Sequence, residues 1–127
     1  MKNYSTNSES REQIELMKWA ALKRQTYPQL DFMFHVANGG HRHPAIAARL
    51  KAEGVKPGVP DLILPFPSNG YGALFLEMKK RVGGRLSDEQ KVWRDYLSSV
   101  GYCVRVCPGW EVAAAAIVEY LTPKTEP

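Results

Sequence analysis

The sequence predicts an α/β domain in which a mixed central β-sheet is flanked by helices. Helix-forming and strand-forming segments follow one another in the order helix, strand, helix, strand, strand, helix, strand, helix. The chain has 127 residues, of which 44% are hydrophobic and 24% charged, and this matches one globular domain. We therefore expect one domain over residues 9–121, between a flexible N-terminus at 1–8 and a polar C-terminal tail at 122–127.

Three elements precede the Gly- and Pro-rich segment 54–60, and they are expected at residues 9–26 (helix), 32–36 (strand) and 44–53 (helix). The first helix follows from apolar residues at helical spacing, which stop before Tyr27-Pro28. The strand is a short aromatic and aliphatic run that ends at Asn38-Gly39-Gly40. The second helix has Pro44 suited to its first turn and Gly54 suited to its C-terminal cap.

Five elements follow that segment, and they are expected at residues 61–64, 73–79, 87–99, 102–106 and 109–121. The first two are apolar strands separated by a Pro- and Gly-rich turn, and their spacing favours a hairpin. Ser87 is placed to cap the helix after them, with Gln90 at its third position as in a capping box. Gly101 ends that helix. A strand expected to be buried and an alanine-rich helix complete the domain.

Positive charge is concentrated in the middle of the chain. The formal net charge is +4, and eight basic residues stand against three acidic ones between Arg42 and Arg85. This excess favours a polyanionic partner such as a nucleic acid. The N-terminus lacks a secretory signal, and the longest apolar run, Val112 to Val118, is far too short for a bilayer. We therefore expect a cytoplasmic protein with no membrane partner, in which Cys103 and Cys107 are reduced.

Three charged residues flank the predicted hairpin. Asp61 opens its first strand, and Glu77 and Lys79 end its second. Side chains two positions apart in a strand share a face, so Glu77 and Lys79 point the same way, with Asp61 alongside if the hairpin pairs in that register. Charges in an apolar strand are costly unless they are paired or bind a metal, which favours chemistry over packing. Carboxylates are suitable ligands for Mg²⁺ or Mn²⁺, and these ions activate water and polarise phosphates. A lysine at this position can orient that water or stabilise the negative charge of the transition state.

The pattern of Pro60-Asp61 followed sixteen positions after Asp61 by Glu77-x-Lys79 resembles the PD-(D/E)xK nuclease superfamily, whose restriction-endonuclease-like core also fits the element order. Within it the chain is similar to the VRR-NUC family, the virus-type replication and repair nucleases, over residues 9–121. The supporting motifs are the acidic first helix with Glu12-Gln13, the Asn38-Gly39-Gly40 turn, the segment 54–60, Leu86-Ser87-x-x-Gln90 and Gly101-Tyr102-x-Val104.

The resemblance implies metal ligation by Asp61 and Glu77, with the backbone carbonyl of Met78 as a third contact. It implies a catalytic role for Lys79 and a Mg²⁺ or Mn²⁺ cofactor. Degenerate nuclease folds usually lose a carboxylate or the lysine, and this chain retains both. Its residues therefore argue against a degenerate site.

Gln90 matches the active-site glutamine of the family, although capping with Ser87 is an alternative role that can coexist with the first. A glutamate on the first helix usually completes the site in this family. Glu12 is the first choice for that position, and Glu9 and Glu15 are alternatives about one helical turn away.

Polar and basic residues around the site are expected to contact the phosphate backbone of DNA: Asn38, Arg42, His43, Lys56, Lys80, Arg81 and Arg85. A plain loop at 41–43 and a solvated hairpin tip at 79–85 are the alternatives. The pair His41-x-His43 does not favour zinc, because catalytic zinc needs at least three protein ligands and no third one lies nearby.

By resemblance the chain is a metal-dependent, structure-selective DNA endonuclease of viral or prophage origin, acting as a homodimer on branched DNA such as Holliday junctions. The two-fold symmetry of a dimer suits paired cuts. One alternative is a flap or nicking nuclease with the same site. Another is a non-catalytic nucleic-acid-binding subunit, and a third is a partner protein with no nucleic-acid role.

Overall fold

A computed structural model describes residues 8–37 and 43–124. The described residues form four α-helices, four strands and one 3₁₀ helix at Pro28–Phe32. The helices are α1 (Ser8–Lys23), α2 (Pro44–Ala52), α3 (Asp88–Ser99) and α4 (Trp110–Leu121). The strands are β1 (Phe34–His35), β2 (Leu62–Leu64), β3 (Leu74–Lys79) and β4 (Cys103–Pro108).

The strands form one mixed sheet in the order β1-β2-β3-β4. β1 and β3 are both antiparallel to β2, whereas β3 and β4 run parallel and are connected through α3. The predicted fold class, an α/β arrangement with a mixed central sheet flanked by helices, is thus confirmed. The predicted hairpin is formed by β2 and β3, with Leu62 opposite Leu76.

The hydrophobic core lies on one face of the sheet, against α1 and α4. Alternate residues of β3, among them Leu76 and Met78, are buried there with Leu16 of α1 and Ile117 of α4. Because side chains alternate along a strand, Glu77 lies on the opposite face. The sheet therefore separates the apolar core from the charged residues predicted to do chemistry.

The segment predicted as a strand at 32–36 differs from the structure. Residues Pro28–Phe32 form a 3₁₀ helix, and β1 contains only Phe34 and His35. The buried residues there are Leu30 and Met33, three positions apart, which is the period of a 3₁₀ turn and not of a strand. The turn predicted at Asn38-Gly39-Gly40 lies outside the described residues.

The strand predicted to be buried at 102–106 also needs correction. β4 runs two residues further and, among the strands of the described residues, is the last of the sheet and pairs with β3 alone. Cys107 is its one buried residue, and Val106 is 38% exposed. Its apolar sequence gave no sign of this edge position, which depends on the order of strands in the complete sheet.

The other helices begin where their sequences indicate. The capping box at the start of α3 is confirmed, since Ser87 and Gln90 each accept a hydrogen bond from the other's backbone N–H. α2 begins with Pro44 and ends before Gly54, which has a φ of +107°. None of the helices in the described ranges has the length and apolar character needed to cross a membrane.

Candidate active site

Asp61 lies directly before β2 and is held from two sides. Its backbone carbonyl accepts a hydrogen bond from the Val36 N–H at 2.9 Å, which ties it to the end of β1. Its side-chain Oδ2 accepts one from the Met78 N–H at 2.7 Å. Continuing the β2–β3 register by one residue places Asp61 opposite Glu77. The predicted convergence of these two carboxylates is therefore present.

Glu77 is a buried carboxyl group, with only 4% of the residue exposed. Burial raises its pKa from 4.5 to about 8, and the nearby negative charge and hydrogen bond of Asp61 act in the same direction. The ammonium of Lys79 acts against this shift. In the absence of a cation, Glu77 therefore carries a proton at neutral pH, with which it can donate a hydrogen bond to Asp61.

Lys79 and Gln90 complete a chain of polar contacts with Glu77. Lys79 is 6% exposed, and its Nζ lies 3.6 Å from Glu77 Oε2. Gln90 Oε1 accepts a hydrogen bond from Lys79 Nζ at 3.0 Å, and Gln90 Nε2 donates one to Glu77 Oε2 at 3.0 Å. Gln90 Oε1 also accepts the Ser87 N–H at 2.8 Å. The structure thus gives Gln90 both roles considered for it, in the helix cap and in the site.

Gly58, three residues before Asp61, lies directly against the first turn of α3. It has a φ of +90°, and a Cβ at this position would lie 2.6 Å from the carbonyl carbon of Glu89. No side chain fits there, and few residues tolerate that backbone conformation. In the sequence, Gly58 is visible only as one glycine of the Gly- and Pro-rich segment 54–60. Its close approach to Glu89 becomes visible only in the folded chain.

The three glutamates of α1 considered for the site differ in their contacts. Glu12 contacts residues that follow β3 and begin α4: Arg81 Nε donates to Glu12 Oε2 at 2.8 Å, and the Trp110 N–H donates to Glu12 Oε1 at 2.9 Å. Glu15 is exposed and pairs with Lys18. Glu9 is close enough for its charge to raise the pKa of Glu77. Which of the three glutamates completes the site stays a prediction.

The residues predicted to contact DNA fall into three groups. Three of them, Lys56, Lys80 and Arg85, are exposed to solvent. His43 and Arg81 are exposed as well but have other partners: the His43 ring accepts the Ala45 N–H at the start of α2, and Arg81 pairs with two carboxylates. The remaining two, Asn38 and Arg42, lie outside the described residues.

The donor set of the cluster consists of oxygen atoms. Asp61 and Glu77 supply two carboxylates, and the Met78 carbonyl points to the same side of β3 as its N–H, toward Asp61. Across residues 8–37 and 43–124, no three His, Cys, Asp or Glu side chains group closely enough to form a metal cage. Mg²⁺ is commonly held by one or two carboxylates with waters and substrate phosphates. The residues present therefore fit Mg²⁺ or Mn²⁺.

Comparisons with known proteins agree with this geometry. The sequence model of the VRR-NUC domain matches residues 7–111, which include every residue of the cluster. A solved structure described as a VRR_NUC domain protein is 30% identical, with a TM-score of 0.77 and coverage of 92% of this chain and 90% of that one. No curated protein matches the chain. In fold and in sequence, the chain belongs to the VRR-NUC family of nucleases.

Proposed function

We propose that the protein is a metal-dependent DNA endonuclease that hydrolyses phosphodiester bonds. The observation that carries this proposal is the arrangement around Gln90, which binds a buried carboxyl group and a buried ammonium on the face of the sheet away from the core. Burying two ionisable groups is costly whether they are charged or one is held neutral, and a purely structural pair is readily replaced by apolar residues. The cost is explained if these groups act on a charged substrate.

Asp61, Glu77 and the Met78 carbonyl would hold the cation. When bound there, Mg²⁺ or Mn²⁺ would polarise the phosphate and lower the pKa of a bound water. Ligation requires Glu77 to give up its proton, so cation binding releases a proton at neutral pH. The hydrogen bond from the Met78 N–H fixes one oxygen of Asp61, so that the carboxylate does not have to be ordered when the substrate arrives.

Lys79 is the residue best placed to act on the substrate. Its ammonium is held at the end of β3 by Gln90 and Glu77, with few alternative positions because the residue is buried. From there it orients an attacking water or stabilises the negative charge that develops on the phosphate. Gln90 acts as a positioning residue, because it fixes both Lys79 and Glu77 through one amide group.

We further propose that the preferred substrate is branched DNA, such as a Holliday junction, and that a homodimer makes the paired cuts. A two-fold symmetric dimer presents two equivalent sites, which suits two strands of a symmetric junction. The exposed basic residues Lys56, Lys80 and Arg85 supply sequence-independent contacts to phosphates, as recognition of DNA shape requires. A flap or nicking nuclease would use the same site on a different substrate.

The test is cleavage of labelled four-way junction, flap, nicked and linear duplex DNA with Mg²⁺, Mn²⁺ or EDTA. We expect cleavage with either metal, none with EDTA, and a loss of at least about 100-fold in Glu77→Gln and Lys79→Ala. Glu15→Gln, an exposed change on α1, is the matched control and should cut like the wild type. A wild-type protein that binds these DNAs but cuts none with either metal would instead be a binding subunit.

A further inference from the structure

His35, the last residue of β1, contacts one of the two residues proposed to hold the cation, and the proposed chemistry does not use it. Its ring Nδ1 lies 2.8 Å from the backbone carbonyl oxygen of Asp61. The same oxygen accepts the Val36 N–H at 2.9 Å. A carbonyl oxygen has two lone pairs, so these two contacts use its full capacity to accept hydrogen bonds. Asp61 is therefore attached to β1 and the residue after it by one side-chain and one backbone hydrogen bond.

The partner of His35 decides which of its ring nitrogens carries the proton. A carbonyl oxygen accepts hydrogen bonds and donates none, so Nδ1 must be the N–H that donates to Asp61. In the neutral ring the proton is then on Nδ1, and Nε2 is left as an acceptor. An unbonded histidine in water favours the opposite tautomer, with the proton on Nε2. The tautomer of His35 is therefore a direct mark of this hydrogen bond.

The strand that carries His35 has little else to hold it in place. β1 has two residues, both exposed, and among the described strands it pairs with β2 alone. On the other side of the contact, Asp61 follows the Gly- and Pro-rich segment 54–60, and Pro60 has no N–H to donate to a neighbouring strand. The bonds from His35 and Val36 therefore fix the backbone at the point where this segment ends and β2 begins.

Asp61 is held on its other side by β3, where the Met78 N–H donates to Asp61 Oδ2 at 2.7 Å. The residues of β1 and its end thus fix the backbone of Asp61, and β3 fixes one oxygen of its carboxylate. A shift of the backbone would move this carboxylate relative to Glu77, because the two residues lie on adjacent strands. Groups that bond to a metal-ligating residue orient its ligand atoms, and losing them weakens metal binding.

We propose that His35 is a positioning residue, whose Nδ1–H holds the Asp61 carbonyl and, through the backbone, keeps the Asp61 carboxylate where it ligates the cation. His35 acts through Asp61 and is itself neither a metal ligand nor a phosphate contact. This inference rests on the proposed function, because the position of Asp61 affects cation binding only if the site binds a cation.

Three substitutions of His35 separate its hydrogen bond from its bulk. His35→Ala removes the donor, His35→Asn places an amide N–H near the position of Nδ1, and His35→Gln carries the amide one bond further. Mn²⁺ binding is measured by titration calorimetry at a temperature where circular dichroism shows each variant folded. We expect His35→Ala and His35→Gln to weaken Mn²⁺ binding about tenfold, and His35→Asn to restore most of it.

The matched control is Phe34→Leu, a change on the same strand that leaves both hydrogen bonds to Asp61 in place. It should bind Mn²⁺ like the wild type. Mn²⁺ affinity equal to that of the wild type in folded His35→Ala would overturn the proposal. Recovery that is absent in His35→Asn, or equal in His35→Asn and His35→Gln, would overturn it as well, because the donor at Nδ1 would then not be the cause.

A second measurement depends on neither metal nor activity. Long-range ¹H–¹⁵N NMR of the metal-free wild type, at an alkaline pH where imidazole rings are neutral, shows which ring nitrogen carries the proton. The His35 signals are those missing from His35→Asn, and we expect the Nδ1–H tautomer. The Nε2–H tautomer would refute the proposal whatever the metal result. If the wild type neither binds Mn²⁺ nor cleaves DNA, the proposed function fails, while the Nδ1–H tautomer still supports the contact with Asp61.

Discussion

Replacing Glu77 by glutamine should stabilise the metal-free protein at neutral and alkaline pH while abolishing activity. Glutamine has the shape of the protonated glutamic acid: its carbonyl can accept from Gln90 Nε2, and its amide can donate to Asp61. It differs in never becoming charged. The variant therefore avoids the cost of a carboxylate buried beside another carboxylate.

The size of the effect follows from the pKa of Glu77. A folded-state pKa of about 8 against an ordinary value of 4.5 corresponds to roughly 5 kcal/mol as an upper limit. Because the folded state holds its proton more tightly than the unfolded state, Glu77 reduces stability as the pH rises through 4.5 to 8. Relaxation around the site reduces this cost to about 2 kcal/mol, or roughly 6 to 10 °C in Tm at pH 8.

The assay is thermal unfolding in EDTA from pH 5 to pH 9 for the wild type and Glu77→Gln. The two Tm curves should nearly coincide at pH 5 and diverge up to pH 8, with the variant higher. Glu119→Gln is a control for which we expect the opposite change, a lower Tm than the wild type. The Arg105 guanidinium lowers the pKa of Glu119, so the ionised glutamate stabilises the folded state. Parallel curves for the wild type and Glu77→Gln would refute the reasoning.

Three further results are expected. Gly58→Ala should displace the start of α3. The cleavage rate should then fall by more than the loss of stability, measured by urea unfolding, accounts for. A fall in rate that the loss of stability fully accounts for would contradict this. Lys80→Gln should reduce the slope of log DNA affinity against log salt concentration by about 1. Arg81→Gln should leave this slope unchanged, because the charge of Arg81 is already neutralised by two carboxylates. Ser87→Ala should cost about 1 kcal/mol of stability by removing the cap, measured by urea unfolding, with cleavage at low temperature nearly retained.

The parts of the site that depend on local sequence were predictable. The shared face of Glu77 and Lys79 follows from strand periodicity, whereas the sequence left open the register that sets Asp61 opposite Glu77. The link between Ser87 and Gln90 follows from the spacing of a capping box. Both are interactions between residues of one element or of two adjacent ones, where the chain itself limits the geometry.

The parts that depend on distant packing were not predictable. Glu9 and Glu12 differ by less than one helical turn, and which of them faces the cluster depends on how α1 rotates against β3 and α4. That rotation is set by contacts such as the one from Trp110 to Glu12, across 98 residues of sequence. The contact of Gly58 with Glu89 and the edge position of β4 are likewise properties of the assembled sheet and helices.

Gln90 acts both in the cap of α3 and in the active site, and these two roles limit which amino acids position 90 can accept. A capping box functions equally well with glutamate or glutamine as its third helical residue. Glutamate at position 90 would keep the bond from the Ser87 N–H but would lose the donor to Glu77 and add a negative charge beside that carboxyl group. A substitution that is conservative for the folding of α3 is therefore not conservative for the site, and at this position the two demands together leave glutamine.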